Sequence, residues 1–170
     1  MTSAKVIVSS SSIEGLGVFA SSELDVGEQV LKIDDSHVVD AAHPVNKAEE
    51  LYLDYLFGDR IVLMQAPERY TNHSCNPNVF VRTHHGVREV VALRPIRTGE
   101  EITYDYSVNG LGNTVWNCFC RSIRCRHSVH SDFFHLPLEL QREYLPFLDE
   151  WFRTEKREQL KTLEQRLATR

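Results

Sequence analysis

The stretch Arg69-Tyr70-Thr71-Asn72-His73-Ser74-Cys75-Asn76-Pro77-Asn78 decides how this chain folds. Six of its ten residues are Asn, His, Ser or Cys, and Pro77 stiffens the run. Short polar side chains bond to nearby backbone and hold irregular loops in one shape. Such a run suits a loop that fixes its own backbone and presents groups to a ligand. Taken one at a time, its residues have plainer uses. An isolated His73 would cap a turn, and Asn72 and Asn78 would stabilise the loop.

Two flanking segments extend the pattern. Upstream lies Gly15-Leu16-Gly17-Val18-Phe19-Ala20, a Gly-x-Gly turn leading into a short apolar strand. Downstream lies Gly99-Glu100-Glu101-Ile102-Thr103-Tyr104-Asp105-Tyr106. A lone Gly-x-Gly is weak, since such turns occur in many loops. The Asn-His-Ser-Cys-Asn-Pro-Asn run is specific, and the three together, in this order, are hard to explain by chance. Residues 4–127 thus resemble the SET-domain lysine methyltransferases. The resemblance implies a mainly β (β-rich α+β) fold, β-clip-like, of small curved sheets with a pseudoknot, followed by C-terminal helices. In that crossing the last core strand, near Tyr104 to Tyr106, threads beneath the loop Asn72 to Asn78. Threaded connections are rare, so this expectation rests on the resemblance alone. The implied organisation is a SET domain over 1–115, a post-SET zinc-binding segment over 116–130 and a helical extension over 131–170.

Bulk properties set the frame. A length of 170 residues fits one domain with a small appendage. With 42% hydrophobic and 25% charged residues, the composition is that of a soluble globular chain. A net charge of −5 argues against direct nucleic-acid binding as the main task, though not against a basic protein substrate. No apolar run approaches the ~20 residues of a membrane helix, and the N-terminus lacks a secretory pattern. The expected location is cytoplasmic, or nuclear in a eukaryote.

Four cysteines carry a second signal: Cys75, Cys118, Cys120 and Cys125. The last three form Cys-x-Cys-x4-Cys, close enough to face one ion. Zinc prefers four tetrahedral ligands, and the resemblance implies that Cys75 from the loop is the fourth. Disulfides or ordinary buried thiols are the alternatives, the former disfavoured without an export signal. His127 or His130 could also replace one sulfur. The family's glycines after the second cysteine and after the final Cys-Arg are here Arg121 and His127. Glycine gives freedom at a tight turn, so a differently shaped loop is expected.

The remaining pattern reads as many short strands and few helices. Strands are expected at Lys5 to Ser9, Val18 to Ala20, Gln29 to Ile33, Ile61 to Gln65, Val79 to Arg82, Arg88 to Leu93 and Ile102 to Tyr106. Asn46 could cap a short helix through Leu56. His84 and His85 belong at a hairpin tip with Gly86. The insert ahead of the signature loop is short, so the substrate-selecting wall is expected to be reduced. Leu136 to Leu140 introduces a helix, and Pro146 starts a second. Leu145, Leu148, Trp151 and Phe152 should pack on the domain. Leu160, Leu163 and Leu167 repeat at three then four. They read equally as a homodimer seam through the C-terminal helix or as an amphipathic tail on the core.

The resemblance also assigns chemistry. It implies S-adenosyl-L-methionine as methyl donor, held by Gly15, Leu16, Gly17, Tyr70, Asn72 and His73, with Trp116 or Phe119 covering its adenine. It makes Tyr106 the catalytic tyrosine and Tyr104 the residue that limits methylation, which favours mono-methylation. Without the other motifs, both tyrosines would read as core aromatics. Glu100 and Glu101 read as solvent-exposed or turn-stabilising. The expected function is a protein-lysine N-methyltransferase acting on a histone-like or other protein partner. Action on a small amine or biosynthetic intermediate, or a non-catalytic interaction module, are the competing readings.

Overall fold

The computed structural model describes residues 5–56 and 60–169. In chain order the strands are β1 (Val6–Ser10), β2 (Leu16–Ala20), β3 (Gln29–Lys32), β4 (Leu53–Tyr55), β5 (Ile61–Leu63) and β6 (Asn72–His73). They continue with β7 (Val79–His84), β8 (Val87–Ala92), β9 (Glu101–Tyr104), β10 (Leu111–Asn117) and β11 (Ser128–Asp132). Helices α1 (Leu138–Tyr144), α2 (Glu150–Glu155) and α3 (Arg157–Ala168) close the chain. The strands form small separate sheets, ordered β1-β2-β9-β6, β3-β8-β7, β4-β5 and β10-β11.

The first two sheets share one core. Val18 and Ala20 of β2, Val30 of β3, Val79 of β7, Val90 and Ala92 of β8 and Ile102 of β9 are buried together with Leu24 and Ile96. β-Branched residues predominate, as a half-buried pleated surface favours. The β7–β8 hairpin turns at His85 and Gly86, both left-handed at φ 49° and 77°. That is the backbone a two-residue hairpin demands, and it puts the two histidines at the expected tip.

The pseudoknot is visible in the hydrogen bonds. β6 pairs parallel with β9, Asn72 opposite Thr103 and His73 opposite Tyr104. Ser74 N–H donates to the Tyr104 carbonyl at 3.0 Å, and Asn78 N–H to that of Thr103 at 3.0 Å. The Asn78 side chain accepts from Thr103 N–H at 2.8 Å and donates to the Glu101 carbonyl at 2.8 Å. Asn78, 2% exposed, therefore stands in for a missing neighbour strand where the loop straddles β9.

The helix expected from Asn46 to Leu56 does not form. Its start signal is genuine: Asn46 Oδ1 accepts from Glu49 N–H at 3.1 Å while Glu49 Oε2 accepts from Asn46 N–H at 3.1 Å. This is a reciprocal capping box. Only one 3₁₀ turn follows, at Glu50–Tyr52. Leu53, Asp54 and Tyr55 then pair with Leu63, Val62 and Ile61. The ladder to β5 overrides the local cap.

The sequence pattern does not disclose β10 and β11. They pair antiparallel, Trp116 opposite Val129 and Asn117 opposite Ser128, so the cysteine segment is their connecting loop. Beyond them, Phe133, Leu136, Tyr144, Leu148, Phe152, Leu160 and Leu163 make a second core with Val108. Leu145, Trp151 and Leu167 pack on its margin. The repeat at 160, 163 and 167 thus lies on the domain, as the amphipathic-tail alternative had it.

Candidate active site

A cavity of about 1070 Å³ opens between the β1–β2 turn, the β4 edge, the signature loop and β10. Gly15, Leu16, Tyr70, Asn72 and Trp116 line it, with Tyr104 and Tyr106 deeply buried in its wall. These seven expected site residues are brought together. Gly17 and His73 lie behind the wall. Phe119 is 64% exposed and does not line the cavity, so of the two candidate adenine covers only Trp116 reaches it.

The tyrosines come together because the chain leaves β9 in extended form and then turns. Their ring centroids are 4.9 Å apart at 46°. Tyr106 O–H donates to the Thr71 carbonyl at 2.7 Å. Burial, and then the negative charge of Asp54, pushes both phenols up, Tyr104 well above its ordinary value. Both remain neutral hydroxyls across the physiological range.

Asn72 braces the glycine turn. Its Nδ2 donates to the carbonyls of Leu16 at 3.0 Å and Glu14 at 3.2 Å, and to Glu101 Oε1 at 2.9 Å. Ser11 Oγ donates to the same carboxylate oxygen at 2.7 Å. Glu101 is therefore an internal strut. It also explains Gly17, where a Cβ would stand 2.4 Å from Glu101 Oε1. Gly15 has the other need, a left-handed φ of 44°. Glu100 does stabilise its turn, accepting from Arg97 N–H at 3.1 Å, and it also holds Arg94 at 2.6 Å.

Behind the tyrosines lies a buried charged cluster. Asp105, 1% exposed, receives Arg126 through Oδ1 at 2.8 Å and through Oδ2 at 2.5 Å. His73 Nδ1 accepts from Tyr106 N–H at 3.1 Å and lies 3.7 Å from Asp105 Oδ1. Burial holds the His73 imidazole down to about 4 against the pull of Asp105. The ring is neutral.

The four cysteine sulfurs lie within 4.8 Å of one another. Cys75 and Cys118 are 3.8 Å apart. A tetrahedral zinc with Zn–S of ~2.3 Å has sulfur–sulfur edges of about 3.8 Å, so the donor set fits zinc. No histidine enters this group. Burial pushes the Cys75 thiol up to about 11, and metal ligation is the chemistry that deprotonates such a sulfur. Arg121 and His127, which stand where the family has glycine, both adopt the left-handed conformation, at φ 54° and 60°.

Sequence reasoning missed several residues of the site. Arg69 lies over the Tyr52 and Tyr70 rings at 5.0 and 4.9 Å, in the cavity wall. Asp54, also in the wall, is held by Arg88 at 2.6 Å, and Arg88 forks onto Asp35 at 2.8 and 2.6 Å. Each role depends on a partner more than 30 residues away or on a neighbouring ring, which no local motif encodes.

Comparison with known proteins agrees with this geometry. The SET domain family model matches residues 15–107. Human histone-lysine N-methyltransferase 2B is 36% identical over 137 residues, 71% of this chain and 5% of that protein. The Drosophila melanogaster histone-lysine N-methyltransferase trr is 31% identical over 138 residues, 71% of this chain and 6% of that one. An H3 lysine-36 specific enzyme of Candida albicans is 46% identical over 61 residues, 34% of this chain and 7% of its own length. The chain therefore spans less than a tenth of these relatives. A solved structure of a candidate histone methyltransferase from Plasmodium falciparum matches with a TM-score of 0.51 at 24% identity, covering 61% of this chain and 94% of that one. That match supports the fold. With the signature loop straddling β9 and the family model covering more than half of the sequence, the chain belongs to the SET-domain family.

Proposed function

We propose that this protein is an S-adenosylmethionine-dependent protein-lysine N-methyltransferase that adds mainly one methyl group. The observation that carries the proposal is the Tyr104–Tyr106 pair set deep in a cavity whose outer wall is the Gly15-Leu16 turn and Asn72. Histone-lysine methyltransferases among its relatives favour a protein lysine as acceptor. A nuclear location follows if the substrate is histone-like.

The residues present fit a methyl donor. Gly15, Leu16, Tyr70, Asn72 and Trp116 would hold it. When bound, it supplies a methyl group activated by a sulfonium. Asn72 has committed its nitrogen to carbonyls and a carboxylate, so its amide oxygen is the atom to accept from the donor's ammonium. A Tyr106 hydroxyl that donates to Thr71 keeps its lone pairs for the incoming amine or for methyl C–H groups. Because the phenol is held neutral, it orients and does not act as the base. The lysine amine, with an ordinary pKa of ~10.4, is discouraged from carrying charge among these rings. Most of the catalysis is then alignment along one approach line. Cys75, Cys118, Cys120 and Cys125 would hold zinc, a rigid cross-link between the signature loop and the β10–β11 loop.

Product number is set by Tyr104, whose hydroxyl can keep a water in the amine pocket. Mass spectrometry of a methylated protein substrate tests this. Wild type should give mono-methyl-lysine, and Tyr104→Phe should raise the di-methyl product. An unchanged pattern would contradict the assignment, and methylation of small amines alone would overturn the substrate class.

A further inference from the structure

One imidazole touches both halves of this site. His73 Nδ1 accepts from the Tyr106 backbone N–H at 3.1 Å, and its Nε2 lies 3.4 Å from Cys75 Sγ. A ring nitrogen that accepts carries no proton, so the ring's proton sits on Nε2, which faces the sulfur. The ring is 5% exposed and wedged between two others. Tyr106 lies 5.3 Å away at 66° and Trp116 5.8 Å away at 88°. These two rings pack against it and limit its rotation.

A second thread starts from the same sulfur. Arg126 N–H donates to Cys75 Sγ at 3.4 Å, and the Arg126 guanidinium grips Asp105, the neighbour of Tyr106. Both routes from Cys75 end at the backbone that carries Tyr106.

We infer that His73 is a positioning residue that passes the state of the four-cysteine metal centre to Tyr106. A metal-held sulfur has a fixed position. That position fixes Nε2, the rigid ring fixes Nδ1, and Nδ1 fixes the tyrosine amide. Without the metal the sulfur is free to turn away, and the buried imidazole N–H loses its partner. The inference rests on the metal and methyl-transfer readings above. It adds that the metal sets the catalytic tyrosine through the His73 side chain, beside the Arg126–Asp105 thread and the clamping of the C-terminal segment.

The test uses the full chain, nitrogen-labelled and loaded with NMR-active cadmium in place of zinc, with no substrate. The expected result is a resolved scalar coupling from cadmium to the His73 Nε2 proton, alongside one to the Arg126 amide proton. The Tyr106 amide resonance should also differ between the zinc and cadmium forms. His73→Phe keeps a ring and removes both nitrogens. With all four cysteines present it should still take up one metal, and its Tyr106 amide should differ less between the metals, by only what the Arg126–Asp105 thread carries; an undiminished difference would overturn the inference. If that variant does not fold, the wild-type coupling and metal swap decide alone. Coupling to Arg126 without coupling to His73, with Tyr106 unmoved, would overturn the inference. These readouts need no turnover. A protein that shows the coupling but transfers no methyl group would contradict the proposed function and leave the relay standing.

Discussion

Arg121 and His127 hold left-handed backbone, φ 54° and 60°, on either side of Cys125. For a residue with a Cβ this conformation costs about 1–2 kcal/mol, and glycine would relieve it at some cost in unfolded-state entropy. Arg121→Gly and His127→Gly should each stabilise the metal-loaded protein, by about 0.5–1 kcal/mol after that entropy is counted. Denaturant titration reads this directly, and a loss of stability would show that either side chain holds the loop by a contact. The pair also shows what the sequence discloses at this scale. Tyr104, Tyr106, Asn72 and the four cysteines are legible because their neighbours in sequence form recognisable runs. In sequence Glu101 reads as a solvent-exposed or turn-stabilising glutamate, yet it carries Asn72 and Ser11 and excludes a side chain at Gly17. Its partners are 29 and 90 residues away. A separation of 21 residues likewise hides the pairing of Arg126 with Asp105.

Among the elements, the C-terminal helices are tied to the domain by α2's cap. Asp149 accepts from Trp151 N–H at 3.4 Å and from the Thr83 hydroxyl at 2.9 Å, and its own N–H donates to Asn109 Oδ1 at 2.8 Å. Burial raises its carboxyl above the ordinary value against the pull of these hydrogen bonds. An acid with a raised folded pKa binds its proton more tightly when folded. Its contribution is therefore fully present below the ordinary carboxyl pKa and is lost as pH rises through the folded one. Asp149→Asn should flatten the dependence of Tm on pH over that window and cost little at neutral pH, since an amide can still cap α2. A large loss at neutral pH would mean that the charge itself is needed. In α3, Leu163 is 2% exposed in the second core. Leu163→Ala should cost about 2–5 kcal/mol of monomer stability. Sedimentation showing a dissociated dimer of unchanged stability would instead revive the intermolecular seam. The strands β10 and β11 escaped the sequence because Ser128–Asp132 contains a single aliphatic residue, Val129. Their pairing is dictated by the cysteine loop between them and the core behind them. The false helix at Asn46 failed for the opposite reason, a sound local cap overridden by pairing with β5.

Across the molecule, β9 and the segment after it hold the parts together. The signature loop straddles β9, Asp105 binds Arg126 from the cysteine segment, and Val108 enters the core of the helical extension. Family pattern made the crossing legible. The attachment of the C-terminal part depended on packing no motif describes. Tyr106 sits in the middle of the segment after β9: its hydroxyl bonds the Thr71 carbonyl, its amide bonds His73 and its ring lines the cavity. The account stands on methyl transfer at that tyrosine. The most direct measurement incubates zinc-loaded protein with radiolabelled S-adenosylmethionine and a whole-proteome extract, beside Tyr106→Phe. Labelled protein bands in the wild type that fade at least tenfold in the variant, a loss of about 1.4 kcal/mol of transition-state stabilisation, are the predicted result. Equal labelling by both proteins, or no protein labelling while the donor still binds by calorimetry, would contradict it.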